Sequence, residues 1–445
     1  MALSITERPF CWVEVDYNDA ELYSNLSNAY YYNCNYVEAL AYAECALSIE
    51  PFNERYISNR NICRSRVKTS PTEHPVKNKI CVYAICKNES QFVDKWLESM
   101  SEADYIVVLD TGSNDNTFEL LANDPRVYKA EQKIISPWRF DVARNESMKL
   151  IPEDANILVC TDLDELLDPG WANALRNQWV EGKHHRGIYK YAWSHNELGE
   201  PSVVFQYDKV HSRGWLWNFP VHEALVHEDD LLNMDYYDYE TLNIFDEMFL
   251  HHYPDPTKSR GSYLHLLELR KQENPQDYCG KIYLAHEYYY RGLYQQSINE
   301  LQDILDNYAN EYNQIEQASC YLFMGDSYRA MGNLTEAIVA YQRGIQKDNT
   351  YREPYVNLAE VLNELGYYRQ AIGVIQDCLE KTYRHYNWLE RGTSWQHEPH
   401  DALAVSYYWT GDYDLSYINI KEALSYCPTD ERLLYNLRLI EEKLL

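Results

Sequence analysis

Three short apolar runs in the middle of the sequence end in side chains that could bind a cation or a phosphate-bearing ligand. The runs are ICVYAIC at 80–86, YIVVLD at 105–110 and NILVCTD at 156–162. The polar side chains at their ends are Asn88 and Glu89 after the first run, Asp110 at the end of the second, and Asp162 and Asp164 at the end of the third. Carboxylates two residues apart in an extended chain point to the same side, so Asp162 and Asp164 are expected to share one hard cation, Mg²⁺ or Mn²⁺. The alternative for such a pair is a solvated acidic loop.

The elements that would position these side chains are parallel strands. The runs are rich in β-branched and apolar residues, and helical stretches such as QFVDKWLESM and TFELLAN separate them. Runs that are apolar on both faces and alternate with helices indicate an α/β sheet. Ligands bind beyond the carboxyl ends of the strands in such sheets, so the polar side chains are expected at one edge.

The charge balance narrows the class of ligand. Lys and Arg number 40 against 69 Asp and Glu, which gives a net charge of −29 at pH 7. A molecule this acidic repels nucleic-acid backbones and anionic membrane surfaces unless a local basic patch overrides the field, so neither is an expected partner. A nucleotide ligand is also anionic, and it would need a divalent cation or a few local Arg and Lys side chains.

Cysteine usage and hydropathy indicate a cytoplasmic protein. The eleven Cys are scattered, odd in number and without a CxxC pair, which favours reduced, mostly buried thiols. The first residues, MALSITERPFCWVEV, lack a basic region followed by an apolar stretch, and no run of about 18 apolar residues occurs. We therefore expect a soluble protein without a membrane span.

The C-terminal part of the chain carries an internal repeat. Gly332 and Gly366 begin GNLTEAIVAYQRGIQKDN and GYYRQAIGVIQDCLEK, 34 residues apart, which is the tetratricopeptide period. Two further units begin at Gly292 and Gly411. A small residue follows each Gly by five positions: Ser297, Ala337, Ala371 and Ser416. The Gly permits a tight turn between two helices and the small residue lets them approach, so a helical array is expected, either as a plain scaffold or as an acceptor-binding surface.

A fifth, isolated copy lies near the N-terminus. Cys34 stands at its Gly position, Ala39 follows five residues later, and Pro51 would end its second helix. One repeat cannot bury its own hydrophobic faces, so this copy is expected to pack on the central domain or to cap another part of the structure. A polar, Pro-containing linker follows from about 66 to 78. The predicted regions are a helical segment at 1–70, an α/β domain at 78–270 and a tetratricopeptide-repeat domain at 271–445.

Four segments between 83 and 170 resemble, in order, the motifs of the inverting family-two glycosyltransferases of GT-A fold. AICKNES resembles the opening strand with its Asn-Glu pair, and VVLDTGSNDNT resembles the second strand with its Asp and the turn after it. WRFDVARNES resembles the Phe-x-x-Ala-Arg-Asn segment, and TDLDELLDPG resembles the acidic metal-binding motif. The resemblance covers about 78–270, and it implies a Rossmann-like domain that binds a nucleotide sugar.

The resemblance also implies roles for the polar residues at the sheet edge. Asp110 would hold the nucleotide base or ribose, and Asn88 and Glu89 would line the same pocket. Asp162 would contact the donor and, with Asp164, bind the metal.

The segment before the acidic motif contributes a cation. Arg144 would direct its guanidinium toward the pyrophosphate of the donor. Asp141 and Asn145 beside it take part in the site or, as the alternative, orient Arg144 through an ion pair or a cap.

The stretch WLWNFPVHEALVHED resembles the Val-His-Glu segment of a subgroup that includes lipopolysaccharide-core glucosyltransferases and the sublancin-type peptide S-glycosyltransferase, which also appends repeats. Inversion requires a base to deprotonate the incoming hydroxyl or thiol, and a carboxylate is the usual choice. The resemblance implies that Glu223 is that base and that His222 orients donor or acceptor. A structural histidine is the alternative for His222.

The run FLHHYPDPTKSR resembles the point where the subgroup carries a His that completes the metal site. His252 fits better than His251, because the subgroup pattern is His followed by an aromatic or small polar residue. Adjacent side chains diverge in an extended chain, so one of the two is expected to face the metal. Pro254 departs from the subgroup, which often has Gly there. Lys258 and Arg260 would close over the diphosphate or form an exposed basic turn.

The sequence therefore predicts a metal-dependent hexosyltransferase that moves a sugar from a nucleotide donor, expected to be a UDP-sugar, to an acceptor held by the repeats. The acceptor is a peptide, a protein or a glycan, and a homodimer through the repeats is a further expectation. One alternative is a transferase-like adaptor that has lost activity and binds a peptide partner. Another is an enzyme that glycosylates nucleic-acid bases, which the net charge of −29 disfavours.

Overall fold

A computed structural model describes residues 19–32, 36–50, 53–66, 78–227, 241–255 and 261–445. Along the chain it has a short helical segment, a mixed sheet covered by helices, and a long array of helical hairpins. In the described part of the chain, no helix combines the length and the apolar composition needed to cross a bilayer.

The N-terminal segment forms a helical hairpin and a third helix. The helices are α1 (Asp19–Tyr32), α2 (Tyr36–Ile49) and α3 (Glu54–Arg66). Ala39 is fully buried, and its carbonyl accepts a hydrogen bond from Ser27 Oγ at 2.7 Å. Arg60 of α3 forms an ion pair with Asp246 of the sheet region at 2.5 Å, so this segment contacts the central region. Cys34 and Pro51 lie outside the described residues.

Eleven strands occur within the described residues. They are β1 (Ile80–Cys86), β2 (Tyr105–Asp110), β3 (Lys129–Gln132), β4 (Ile157–Cys160), β5 (Glu165–Leu167), β6 (Arg186–His195), β7 (Pro201–His211), β8 (Trp215–Asn218), β9 (Ala224–His227), β10 (Thr241–Asn243) and β11 (Phe249–His252). Nine of them form one sheet in the order β3-β2-β1-β4-β7-β6-β11-β5, with β10 paired to β6. β8 and β9 form a separate antiparallel hairpin.

The three apolar runs of the sequence form adjacent parallel strands. β1 lies between β2 and β4 and pairs in parallel with both. All seven residues of β1 are buried, because even-numbered side chains such as Val82 pack on one face and odd-numbered ones such as Tyr83 on the other. The carboxyl ends of the three strands therefore meet at one edge of the sheet.

Helices cover this parallel part of the sheet. They are α4 (Val93–Met100), α5 (Thr117–Asn123), α6 (Phe140–Met148) and α7 (Trp171–Gln178). Trp96 of α4 and Trp171 of α7 are fully buried in the core on one face, and Ala143 of α6 packs in the core on the other.

The C-terminal part consists of helical hairpins. Its helices are α8 (Tyr263–Glu273), α9 (Tyr278–Tyr290), α10 (Tyr294–Asn307), α11 (Gln314–Ala330), α12 (Leu334–Lys347), α13 (Glu353–Glu364), α14 (Tyr368–Leu379), α15 (His397–Thr410), α16 (Tyr413–Tyr426) and α17 (Glu431–Leu444). The four repeat glycines lie at the turns of the hairpins α9–α10, α11–α12, α13–α14 and α15–α16, with φ between 73° and 87°. The small residues five positions later are all fully buried, as the spacing predicted.

The array contacts the sheet through the segment between α14 and α15. A short 3₁₀ helix (Gly392–Trp395) packs against β7, where a Cβ on Gly392 would meet Ser202 Oγ at 2.2 Å. Arg384 donates a hydrogen bond to the Ser202 carbonyl at 2.8 Å. Only glycine allows this approach of the two backbones.

Candidate functional site

The loops after β1 and β2 are tied together at the carboxyl edge of the sheet. Asn88, in left-handed backbone with φ of 56°, accepts a hydrogen bond from Asn114 N at 2.8 Å through its side-chain oxygen. Its own N–H donates to Ser113 Oγ at 2.8 Å. Glu89 is buried, whereas Asn88 is exposed, so the two predicted pocket residues lie in different environments.

Asp110 is a fully buried carboxylate at the end of β2. Its Oδ1 accepts hydrogen bonds from the N–H groups of Gly112 and Ser113 and from Gln132 Nε2, at 2.8 to 3.0 Å. Burial opposes ionisation, but these hydrogen bonds outweigh it and hold the pKa of Asp110 below its usual value. The structure therefore keeps a fixed negative charge at this edge.

The acidic motif after β4 adopts a turn, and the expectation of an extended chain at 162–164 is wrong. β4 ends at Cys160, and Glu165 N donates to the Asp162 carbonyl at 3.1 Å while Asp162 N donates to Glu165 Oε2 at 2.8 Å. These reciprocal hydrogen bonds close the turn. Asp162 and Asp164 consequently face different partners.

Two buried cations hold Asp162. Arg144 approaches its carboxylate at 3.0 Å, and Lys209 of β7 lies 3.4 Å away. Lys209 also lies 3.3 Å from Glu165. Burial would raise the pKa of Asp162, but the two cations lower it strongly. Burial raises the pKa of Glu165, and the neighbouring Asp162 and Asp164 add to the effect.

Arg144 also contacts the predicted base. Its Nε donates to Glu223 Oε1, while its terminal nitrogens face Asp162. The guanidinium carbon lies 5.3 Å from the ring centroid of Trp217, and the Arg144 side chain is 5% exposed. One guanidinium from α6 thus joins the segment after β4 to the turn between β8 and β9.

His222 lies beside Glu223 on that turn, and its ring contacts the repeat region. It stacks on Tyr283 of α9 with a centroid separation of 4.2 Å and an interplanar angle of 4°. The backbone of His222 is left-handed, with φ of 48°. His222 is exposed, and the ring contact places it at the junction of sheet and repeats.

Asp164 and His252 form a second buried pair. His252 Nε2 lies 3.6 Å from Asp164 Oδ2, and each residue is 8% exposed. His252 Nδ1 lies 3.0 Å from the Trp193 carbonyl, and the ring stacks on Trp193 at 4.6 Å. Burial disfavours the charged imidazole, but Asp164 and Glu165 favour it, so the pKa of His252 lies above its usual value.

His251 points to the other side of β11. Its Nε2 lies 3.4 Å from Asp168 and its Nδ1 lies 3.0 Å from His195 Nε2. Asp162 contacts the two cations rather than this strand. Among the described residues, no three His, Cys, Asp or Glu side chains are arranged to hold a metal ion.

A cavity of about 560 Å³ opens beside His252. Polar and aromatic side chains line it, among them Gln91, Phe92, Ser194, His195 and Tyr253. Gln91 donates to Asp255 at 2.9 Å across its rim. Lys258 and Arg260, proposed to close over a diphosphate, lie outside the described residues.

Lys209 could not be selected as a site residue from the sequence. Lys209 lies in β7, a strand without a recognised motif, and its burial beside two carboxylates depends on pairing between β7 and β4. Lys209 follows Asp208 in a segment of mixed composition, QYDKVH, so the sequence itself carries no signal of this burial. Asp141 pairs with Arg139 at 2.8 Å and Asn145 binds the backbone of Trp217, so neither contacts Arg144 as an ion pair or cap.

The repeats form a second cavity, of about 440 Å³, along α9, α11 and α13. Its lining includes Asp326, Arg329, Asn357, Glu360 and Arg391. Arg329 pairs with Glu360 at 2.6 Å, and the Asn357 amide bridges Asp326 and Arg391 at 2.6 and 2.7 Å. This lining is polar and carries charges of both signs.

Comparison with known proteins identifies the repeats. A family model described as TPR repeat matches residues 325–366, which begin in the last two turns of α11, cover α12 and α13, and end at Gly366. The chain therefore contains tetratricopeptide repeats in its C-terminal half. No curated protein matches the chain.

Solved tetratricopeptide-repeat proteins are similar to part of the chain. A thermophilic TPR protein of Thermus thermophilus is 19% identical over 40% of this chain and 89% of that one, with a TM-score of 0.31. A tetratricopeptide repeat protein from Parabacteroides merdae is 15% identical over 41% and 66%, with a TM-score of 0.33. YrrB, described as a TPR protein with an unusual peptide-binding site, is 12% identical over 39% and 80%, with a TM-score of 0.30.

Proposed function

We propose that this chain is a metal-dependent inverting glycosyltransferase that uses a nucleotide sugar, in the first instance a UDP-sugar, and an acceptor held by its repeats. The observation that carries the proposal is the contact of Arg144 with both Asp162 and Glu223. These three residues come from separate segments that were selected on sequence for a donor cation, a donor carboxylate and an acceptor base. Their convergence at one edge of a sheet supports a common site.

The donor would bind across the carboxyl ends of β1, β2 and β4. Asp110 offers an ionised carboxylate to the hydroxyls of a ribose, and its rigid hydrogen bonds fix its orientation. Arg144 and Lys209 are the buried cations nearest to Asp162, and their positive charge favours a diphosphate in a chain with a net charge of −29.

Asp164 and His252 fit the chemistry of a divalent cation. If Nδ1 donates to the Trp193 carbonyl, the neutral imidazole carries its lone pair on Nε2, which faces Asp164. Ions such as Mn²⁺ and Mg²⁺ take few protein ligands and complete their coordination shell with phosphate oxygens and water. Two protein ligands, Asp164 and His252, would therefore be sufficient. A bound cation would neutralise charge on the leaving diphosphate.

Glu223 would act as the base. Its carboxylate would take the proton from an acceptor hydroxyl or thiol as the acceptor atom bonds to the anomeric carbon. The bond from that carbon to the diphosphate oxygen breaks, and its electron pair leaves with the diphosphate. Arg144 orients the carboxylate through Nε.

The repeats would hold the acceptor. The charged lining of their cavity, with Asp326, Arg329, Glu360 and Arg391, suits a polypeptide with polar side chains better than an uncharged glycan. This polarity supports a peptide or protein acceptor.

A panel of nucleotide sugars tests the proposal. Purified protein with Mn²⁺ is expected to release nucleoside diphosphate from at least one donor, slowly when water is the only acceptor and faster with cell lysate, in which mass spectrometry would identify the modified protein. The proposal fails if no donor is hydrolysed above a metal-free control.

One observation favours an inactive adaptor as the second candidate. In this conformation the Arg144 guanidinium satisfies Asp162 and Glu223 together, and each carboxylate is bound by a cation of the chain itself. An adaptor would bind a peptide in the repeat cavity and would bind no nucleotide. Calorimetric titration with UDP and Mn²⁺ separates the two, because the adaptor gives no heat.

A further inference from the structure

The turn that carries Glu223 is conformationally demanding. Between β8 and β9, Phe219 and His222 both have left-handed backbone, with φ of 79° and 48°. Residues other than glycine are strained in this region, and they persist there when the surroundings fix them. The surroundings of this turn therefore decide where Glu223 lies.

Arg270 of α8 holds the turn from the repeat side. Its Nη1 donates to the carbonyls of Val221 at 3.1 Å and His222 at 2.7 Å. Its guanidinium carbon lies 3.8 Å from the ring centroid of Phe219. The side chain therefore contacts three of the five residues between the two strands.

Arg270 is itself fixed. Its Nε donates to Asp277 at 2.5 Å, and the two side chains are 3% and 4% exposed. Asp277 also caps α9 by accepting from Gly280 N at 3.1 Å. A Cβ at Gly280 would lie 2.8 Å from Arg270 Nε, so only glycine leaves room for this pair. The Arg270 guanidinium is therefore held in place by the N-terminus of α9, the first helix of the first repeat hairpin (α9–α10).

We propose that Arg270 is a positioning residue for Glu223, so that the repeat region is part of the catalytic unit rather than a separate module. This inference rests on the proposed function for the role of Glu223, but not for the contact itself. Tyr283 supports the same turn through its stack on His222. Helix α6 adds a further anchor, because Phe140 N donates to the Pro220 carbonyl at 3.0 Å, so loss of Arg270 is expected to loosen the turn without unfolding it.

The experiment compares Arg270→Lys with Arg352→Lys. Arg352 is a matched control: it is also buried, donates to a backbone carbonyl (that of Lys381), and lies 3.8 Å from an aromatic ring, that of Trp395. Lysine cannot reproduce either set of contacts. We expect R270K alone to accelerate hydrogen exchange in residues 219–227 and to lower kcat about 10²-fold, with the Kd for UDP and Mn²⁺ unchanged.

The outcomes separate this inference from the proposed function. Equal hydrogen exchange at the turn in R270K and wild type would show that Arg270 does not hold the turn, whether or not the wild type transfers sugar. An unchanged kcat, or an equal loss in R352K, would overturn the positioning role. A wild type without activity would contradict the proposed function, and the exchange result alone would then decide whether Arg270 holds the turn.

A second pair of variants covers the case in which R270K fails to fold. Tyr283→Phe keeps the ring that stacks on His222, whereas Tyr283→Leu removes it. We expect Y283L to show faster hydrogen exchange at the turn and a reduced kcat. We expect Y283F to match the wild type in both measurements. Equal behaviour of the two variants would contradict the role of the ring.

Discussion

At the scale of single residues, Arg144 has the widest influence on the site. It contacts Asp162, Glu223, the Cys160 sulfur and the Trp217 ring, and it is almost completely buried. Burial of a guanidinium costs desolvation free energy, and carboxylate partners offset that cost. The same ion pairs that stabilise Arg144 also hold the two proposed functional carboxylates together.

Replacement of the proposed base separates chemistry from binding. In Glu223→Gln an oxygen remains to accept from Arg144 Nε, so the turn keeps its geometry, but the side chain no longer takes a proton. We expect kcat to fall by about 10² to 10⁴ with donor binding retained. Steady-state release of diphosphate measures it, with Glu273→Gln, which alters an exposed pair with Arg139, as control. A kcat within threefold of wild type would exclude Glu223 as the base.

A buried histidine makes the repeats sensitive to acid. Burial lowers the pKa of His286 to about 3, and its Nε2 has no hydrogen-bond partner among the described residues. Between pH 6.5 and 3 the unfolded chain binds a proton that the folded chain does not. The free energy of unfolding therefore decreases as the pH is lowered, by up to about 1.4 kcal/mol per pH unit.

His286→Phe is expected to remove this contribution. The thermal midpoint should drop less between pH 7.5 and pH 5.0 in H286F than in wild type, while the exposed His265→Phe should behave as wild type. An identical drop in H286F and wild type would show that His286 is protonated in the folded state.

Among the helices and strands, the sequence predicted those that are specified by a periodic pattern of residues. The three apolar runs form β1, β2 and β4 because both faces of each strand are buried. The four hairpin turns follow from glycine at positive φ with a buried small residue five positions later. These features are local, and spacing alone specifies them.

The parts of the site that depend on tertiary pairing could not be predicted. The chain turns at 162–165 because Asp162 and Glu165 exchange hydrogen bonds, and no periodicity distinguishes this turn from a strand end. Lys209 reaches Asp162 through antiparallel pairing of β7 with β4. Arg270 reaches the His222 carbonyl, beside Glu223, from a helix 48 residues later in the chain. The metal, donor and base assignments remain predictions.

Glycines inside the repeat helices are expected to respond oppositely to alanine. In α11, a Cβ on Gly325 would lie 2.4 Å from a ring carbon of Tyr341, so G325A should destabilise the array by about 1 to 3 kcal/mol through overpacking. Gly373 in α14 is exposed, and a Cβ there would meet no neighbouring atom within 4 Å, so G373A should stabilise the array by about 1 kcal/mol. Thermal unfolding of both variants tests the packing. Equal shifts of the two midpoints would contradict it.

In the whole molecule, the three regions contact one another through a few specific residues. Arg60 joins the N-terminal helices to the sheet, Gly392 packs the array on β7, and Arg270 fixes the turn of Glu223. The sheet region is therefore expected to need both helical regions for its native geometry.

A single substitution can weaken the ion pair that joins the N-terminal helices to the sheet region. Asp246→Asn leaves the buried Arg60 guanidinium without its ionic partner, which is expected to cost about 1 to 3 kcal/mol. Hydrogen exchange in α3 should increase in D246N, and it should not change in Asp154→Asn, which breaks an exposed pair with Lys79 elsewhere on the sheet. Unchanged exchange in D246N would mean that other contacts hold α3.

Calorimetric titration of the full chain with UDP, in the presence and absence of Mn²⁺, tests the proposed nucleotide-sugar site directly. We expect binding that requires Mn²⁺ in the wild type, at least tenfold weaker binding in Asp164→Asn, and wild-type binding in Asp168→Asn, whose carboxylate is 61% exposed and faces His251 instead. Absence of heat with the wild type, or equal affinity of D164N and wild type, would contradict a nucleotide-sugar site at this edge of the sheet.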